Sequence, residues 1–101
     1  MLHIVNKSPF ENTSLDSCLR IASTAKGGAL LLIEDGVYAA TKGSAFEDKI
    51  KKAAGNLKIY ALWPDLEARG MQDGVIDGIK LVDFGGFVDL VAEHNSVQSW
   101  L

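Results

Sequence analysis

The sequence predicts an α/β fold, in which a single domain spanning residues 1–101 holds a mainly parallel sheet of four to five strands with helices on both faces. Short apolar runs alternate along the chain with amphipathic stretches, without an intervening linker. This alternation of predicted strands and helices favours right-handed crossovers and a parallel sheet. The length predicts one domain, because 101 residues suffice for one and are too few for two.

Four apolar runs predict strands that are buried on both faces of the sheet, at residues 2–5, 29–33, 57–63 and 79–82. Residues 97–101 predict a fifth strand at an edge. The run at 29–33 is far too short to cross a bilayer, so no membrane partner is expected. The apolar start of the chain is likewise too short for a signal peptide.

The first helix is predicted over residues 13–25. Its apolar positions repeat at the spacing of one helical face, which consists of Leu15, Cys18, Leu19 and Ala22. Thr13 or Ser14 is the expected N-cap, and Gly27 with Gly28 is the expected stop.

Three further helices follow from the pattern. A helical region over residues 37–54 is expected to break near Gly43 and Ser44, and a short helix over residues 65–70 starts after Pro64. The inward-facing residues of the 37–54 region are Phe46, Ile50 and Ala53, and those of the last helix are Phe87, Leu90 and Val91.

The charge of the chain argues against direct nucleic-acid binding. The formal net charge is −3, from 13 acidic and 10 basic residues. The densest basic group, Lys49, Lys51 and Lys52, follows directly on Glu47 and Asp48. So short a group neutralises few phosphates, and no nucleic-acid partner is expected.

Parallel sheets bind ligands beyond the carboxyl ends of their strands, which here carry Glu34, Asp35, Asp65 and Asp83. The first strand-to-helix turn, residues 7–13, contains no glycine to bring backbone N–H groups near a phosphate, so no nucleotide cofactor is expected. A magnesium site of the receiver-domain type needs an acidic pair after the first strand, where Asn6 and Lys7 stand instead. No metal is expected, although an independent small-molecule-binding module that uses this acidic edge stays an alternative.

Cys18 is the chain's single cysteine, so no internal disulfide forms and a reducing, cytoplasmic setting is expected. There is no C-x-x-C motif, and His3 and His94 have no evident reason to meet this thiol. Its place on the apolar helix face predicts a small buried core residue. The nearby helix N-terminus can lower a thiol pKa while Asp16 opposes this, so a reactive role for Cys18 is a second hypothesis.

Trp63 and Trp100 are the largest apolar side chains. Trp63 lies at the carboxyl end of the third predicted strand, and Trp100 lies in the last one. Either closes the core or serves as an interface anchor, since amphipathic aromatic residues at element ends are typical of both.

Five stretches taken in order resemble the TusB/DsrH family, the small subunits of the TusBCD and DsrEFH sulfur-relay complexes. They are MLHIVNKSPF at residues 1–10, LLIEDGVYAA at 31–40, YALWPDLEARG at 60–70, VDFGGFVDLV at 82–91 and VQSWL at 97–101. The resemblance covers essentially the whole chain without large gaps.

This resemblance implies a DsrE-like fold of the flavodoxin/Rossmann type and a role as a non-catalytic subunit of a heterohexameric sulfurtransferase complex. The implied partners are two homologous subunits, TusC/TusD-like or DsrE/DsrF-like, and sulfur-carrier proteins of the TusA and TusE/DsrC type. Persulfide sulfur passes to 2-thiouridine at the tRNA wobble position in the Tus system, and serves dissimilatory sulfur oxidation in the Dsr system.

The resemblance also has an implication for the role of Cys18. Its principal sulfur-carrying cysteine belongs to the larger partner subunit, and the loop that bears it has no counterpart in this chain. Cys18 matches a position where DsrH-like members have cysteine and some TusB members do not, so an accessory sulfur-carrying role for Cys18 is the alternative that the resemblance leaves open.

Overall fold

A five-stranded, all-parallel sheet organises the molecule in the computed structural model, which describes residues 1–22 and 28–100. The strands are β1 (Leu2–Val5), β2 (Gly28–Leu32), β3 (Leu57–Leu62), β4 (Lys80–Val82) and β5 (Val97–Trp100). They lie in the order β4-β3-β2-β1-β5, and each neighbouring pair is parallel. The predicted fold class is confirmed, with each strand within two residues of its predicted place.

The helices are α1 (Ser14–Ala22), a 3-10 helix (Glu34–Ala40), α2 (Glu47–Ala53), α3 (Trp63–Ala68) and α4 (Phe84–Glu93). The helical region predicted over residues 37–54 is divided, because the chain becomes extended at Thr41, which bridges Val75, and then turns at Gly43 with a φ of 80°. Pro64 lies in the first turn of α3, one residue after that helix begins. The predicted end of the first helix at Gly27 lies outside the described residues.

The hand of the connections decides which helix covers which face. From β1 to β4 every step adds a strand on the same side, so right-handed crossovers place α1, the 3-10 helix, α2 and α3 on one face. The connection from β4 to β5 returns past the whole sheet to the far side of β1, and α4 therefore lies on the opposite face.

The larger apolar core lies on the face with four helices. From α1 it takes Leu15, Cys18, Leu19 and Ala22, which confirms the predicted inward face of this helix. Ile50 and Ala53 of α2 and Leu66 of α3 complete it against the sheet. Most of the helix residues that were predicted to face inward therefore lie in the core on this one face of the sheet.

The smaller core is formed by the opposite face of the sheet and α4 alone. Its buried members are Leu2, Ile4, Ala29, Leu31 and Leu90. The prediction that the fourth strand is buried on both faces was wrong, since Lys80 and Leu81 are exposed and Val82 is half-buried. This three-residue strand lies at the sheet edge, where it has one neighbour. In the part of the chain that the structure describes, no helix has the length and apolar character needed to cross a bilayer.

Gly36 brings the 3-10 helix directly against the carboxyl end of β1. A Cβ at this position would collide with the backbone carbonyl oxygen of Val5. That carbonyl also accepts a hydrogen bond from the Ile33 N–H at 3.0 Å, so it is held in the sheet and cannot easily move away. Only glycine fits here without a shift of the backbone.

Substitution Gly36→Ala is expected to lower the free energy of unfolding by about 1–3 kcal/mol, because the added methyl group overpacks a backbone contact. Urea unfolding followed by circular dichroism measures this. The matched control is Gly74→Ala, whose methyl group would have Thr41 Cγ2 at 4.0 Å as its nearest neighbour. Equal destabilisation by the two variants would contradict the proposed contact.

Candidate functional site

Arg69 joins the acidic residues at the carboxyl edge of the sheet. Its guanidinium donates to Asp35 Oδ1 from Nη2 at 2.8 Å and from Nε at 3.2 Å, and to the Asp65 backbone oxygen at 3.0 Å. The Asp65 carboxylate accepts the Glu34 N–H at 2.6 Å. Glu34, which donates this bond, has a φ of 49°, a left-handed conformation that is uncommon for a residue with a side chain.

The acidic residues of this edge therefore do not form a common ligand set. Asp35 is paired with Arg69, while Asp83 caps α4 by accepting the Gly86 N–H at 2.8 Å. Within residues 1–22 and 28–100, no group of three or more His, Cys, Asp or Glu side chains is placed to hold a metal ion. Arg69 was not among the candidate residues that the sequence indicated. Its position four residues after Asp65 on a helical segment is the one local signal that places it near this carboxylate.

A cavity of about 310 Å³ lies beside this edge and is lined by Ser8, Phe10, Glu11, Asp35 and Tyr38. Arg69 lies over the Tyr38 ring, with its guanidinium carbon 5.9 Å from the ring centroid. The cavity is thus bordered by an ion pair and one further carboxylate. Its lining offers hydroxyl and carboxylate groups for polar contacts, but it includes no thiol and no imidazole that could act as a base toward a hydroxyl.

Cys18 is fully buried in the larger core, as its place on α1 predicts. Removal from water disfavours the charged thiolate, and burial raises the pKa of Cys18 from 9.0 to about 12. Because the thiolate is the reactive form, this side chain is a poor nucleophile in the folded chain.

The two histidines are engaged with other groups. The Trp100 indole N–H donates to His3 Nδ1 at 3.1 Å, and His94 Nδ1 lies 2.7 Å from the Leu90 carbonyl oxygen. Burial and the nearby N-terminal ammonium group lower the pKa of His3, which favours the neutral ring that can accept this bond. Neither histidine hydrogen-bonds to Cys18, so the described residues contain no thiol–imidazole pair.

The two tryptophans have different surroundings. Trp100 is half-buried, packs against the larger core and, through His3, ties β5 to β1. Trp63 is half-buried at the first position of α3. An interface role for Trp63 or Trp100 stays a prediction.

The outer side of α4 is apolar although it faces away from its own sheet. Phe84, Val88 and Val91, at the spacing of one helical face, are 63%, 65% and 38% exposed. The prediction that Val91 faces inward with Phe87 and Leu90 was wrong, because it lies on this outer side of the helix. Leu90 is buried on the inner side and Phe87 packs beside it. Helices that are apolar on both sides are ordinarily buried on both sides.

Comparison with known proteins identifies the family. The model of a family described as DsrH like protein matches residues 7–97. Proteins named TusB from Pectobacterium parmentieri and from Escherichia coli strain K12 are each 38% identical over 100 residues, covering 99% of this chain and 100% of the relative. The chain belongs to the TusB/DsrH family. The family resemblance in the sequence is thereby confirmed.

Solved structures agree with the fold of this TusB/DsrH family member. The ychN protein from E. coli superimposes with a TM-score of 0.85 at 20% identity, covering 97% of both chains. A protein of unknown function from Methanobacterium thermoautotrophicum, MTH1491, gives a TM-score of 0.73 at 19% identity, covering 97% of this chain and 95% of the other. At these identities the comparison concerns the fold alone.

Burial of Cys18 predicts a protected thiol. In the folded chain near neutral pH, an aromatic disulfide reagent should modify Cys18 only at the rate at which the core opens, whereas the urea-unfolded chain should react at once.

Burial of Cys18 also makes the free energy of unfolding depend on pH. The unfolded thiol ionises above 9.0 while the folded one stays neutral, so the free energy of unfolding should fall as the pH rises above 9.0, by at most about 1.4 kcal/mol per pH unit.

The control is Cys18→Ala, which removes the titrating group. The difference in unfolding free energy between the parent chain and this variant should shrink as the pH rises above 9.0. Rapid labelling of the folded chain, or a difference that does not change with pH, would contradict a buried, neutral thiol.

Proposed function

We propose that the chain is a non-catalytic subunit of a hetero-oligomeric sulfur-relay assembly, which passes persulfide sulfur between proteins for 2-thiolation of the tRNA wobble uridine. Full-length similarity to proteins named TusB supports this role. The observation that carries the proposal is the burial of Cys18, the chain's single cysteine. A relay needs an accessible thiolate, so another chain must supply it.

The proposed assembly is a hexamer of two three-subunit units, in which TusC-like and TusD-like chains accompany this one in the cytoplasm. Carriers of the TusA and TusE type would deliver and receive the sulfur. A net charge of −3 is compatible with a chain that meets proteins and leaves the tRNA to others.

Dissimilatory sulfur oxidation is the second candidate, with DsrE/DsrF-like subunits and a DsrC-type carrier. It is favoured by the description of the matching family as DsrH like protein and by the cysteine at position 18. The two candidates need the same kind of assembly. The identity of the co-purifying carrier distinguishes them.

The surface of α4 supports a permanent assembly. Phe84 and Val88 are each more than half exposed, and Leu81 and Val97 on the two edge strands are 41% and 42% exposed. Obligate interfaces are more apolar than ordinary protein surface and resemble a core cut in half. A homologous subunit that packs on α4 would complete the second layer of this sheet.

The alternatives have less support. A persulfide on Cys18 would require a buried, neutral thiol to attack a sulfur donor, and the pKa of Cys18 is raised to about 12. A small-molecule module at the acidic edge would have to compete with Arg69 for Asp35, which accepts two hydrogen bonds from that guanidinium.

Co-expression with the TusC-like and TusD-like chains of the same cell should give a hexamer that contains two copies of each chain, as measured by native mass spectrometry. The variant Val88→Asp should weaken assembly about a hundredfold or more, because a carboxylate would be buried without a partner. The side chain is 65% exposed in this chain, so the fold itself should survive, which circular dichroism can check.

The matched control is Ile21→Asp on α1, where a similarly exposed apolar side chain lies on the four-helix side of the sheet. This variant should assemble normally. Recovery of the chain as a free monomer from the co-expressed set would contradict the proposed function. Normal assembly of Val88→Asp would exclude the α4 surface from the interface.

A further inference from the structure

The groove between α1 and α2 combines an apolar base with basic walls. It encloses about 340 Å³ on the four-helix face of the sheet. Leu19 and Ala53 lie at its base, where they are 9% and 7% exposed. Its charged lining residues are Asp16, Arg20, Lys49 and Lys52.

The positive charge of this groove is only partly compensated. Lys49 Nζ pairs with Asp16 Oδ1 at 2.8 Å and lies 5.4 Å from the Phe46 ring centroid. Arg20 and Lys52 are exposed and form no ion pair within residues 1–22 and 28–100. Two uncompensated cations thus flank the groove on a chain whose net charge is −3.

Helix stability explains only part of this arrangement. Arg20 lies in the last turn of α1 and Lys52 in that of α2, where basic side chains interact favourably with the helix dipoles. That interaction requires neither the convergence of both cations on one groove nor an apolar base between them. Convergent cations beside apolar side chains are the surface that an acidic amphipathic peptide complements.

We propose that the groove between α1 and α2 binds an acidic segment of a partner protein that contains an aliphatic side chain. The carboxylates of this segment pair with Arg20 and Lys52, and its aliphatic side chain packs on Leu19 and Ala53. Guanidinium and carboxylate groups match geometrically, and the apolar base adds a contact that a phosphate backbone cannot use. The proposed peptide binding involves neither α4 nor the acidic edge, so it goes beyond the relay role and does not depend on it.

The test is fluorescence anisotropy of a dye-labelled peptide, Glu-Glu-Leu-Leu-Glu-Glu, titrated with the full chain. Saturable binding is expected, and it should weaken as salt is added because the pairs are exposed. The double variant Arg20→Glu and Lys52→Glu should lower the affinity about tenfold or more, since each exposed pair contributes up to about fivefold. The peptide Glu-Glu-Ser-Ser-Glu-Glu should bind the parent chain more weakly.

The matched control is the double variant Lys58→Glu and Lys80→Glu. It makes the same change in net charge with exposed residues on the α4 face of the sheet. Lys58 alternates with Leu57 and Ile59 of the larger core, and Lys80 is in register with Tyr60, which packs against the smaller core. This control should bind the leucine peptide as the parent chain does, and amide chemical-shift changes in the parent chain should centre on α1 and α2. Absence of saturable binding, equal loss in both double variants, equal affinity for both peptides, or shifts centred on α4 would overturn the proposal.

Discussion

Right-handed crossovers in a sheet of order β4-β3-β2-β1-β5 are the constraint on which the rest of this structure depends. Three connections fall on one face, and a single one falls on the other. On the face with three connections, the inner side of α1 is buried in the larger core, and Cys18 is buried with it. The other face has α4 alone, whose outer side exposes Phe84 and Val88. Topology thus produces both the protected thiol and the apolar surface.

Local patterns predicted most of the fold, because periodicity reports which side of an element is apolar. They predicted β1 to the residue and the inward face of α1 that contains Cys18. They failed for β4, since an apolar run does not reveal that its strand will lie at an edge. Local patterns also cannot predict contacts between residues that are far apart in the sequence. Arg69 binds Asp35, 34 residues away, and Trp100 donates to His3, 97 residues away. The candidate site depends on such contacts, and it was therefore predicted less completely than the fold.

The chemistry available to the chain is limited by these contacts. Gly36 brings the 3-10 helix against the end of β1, at the edge where an α/β fold often binds its ligand, and Arg69 pairs with Asp35 beside it. The chain instead has two candidate binding surfaces on opposite faces of the sheet. The surface of α4 is apolar, and the groove between α1 and α2 is basic. In the proposed assembly, such a chain would hold one neighbour permanently and a second one reversibly, and the reactive sulfur would stay on another chain.

We propose that this chain supports a sulfur relay without carrying the sulfur itself. The most direct test is the rate of labelled-sulfur transfer through the reconstituted assembly, with the parent chain or with Cys18→Ala as the only difference. We expect equal rates, and no persulfide on this chain by mass spectrometry. A large loss of transfer in the intact Cys18→Ala assembly, together with a persulfide on Cys18 in the parent assembly, would show that this chain does carry the sulfur.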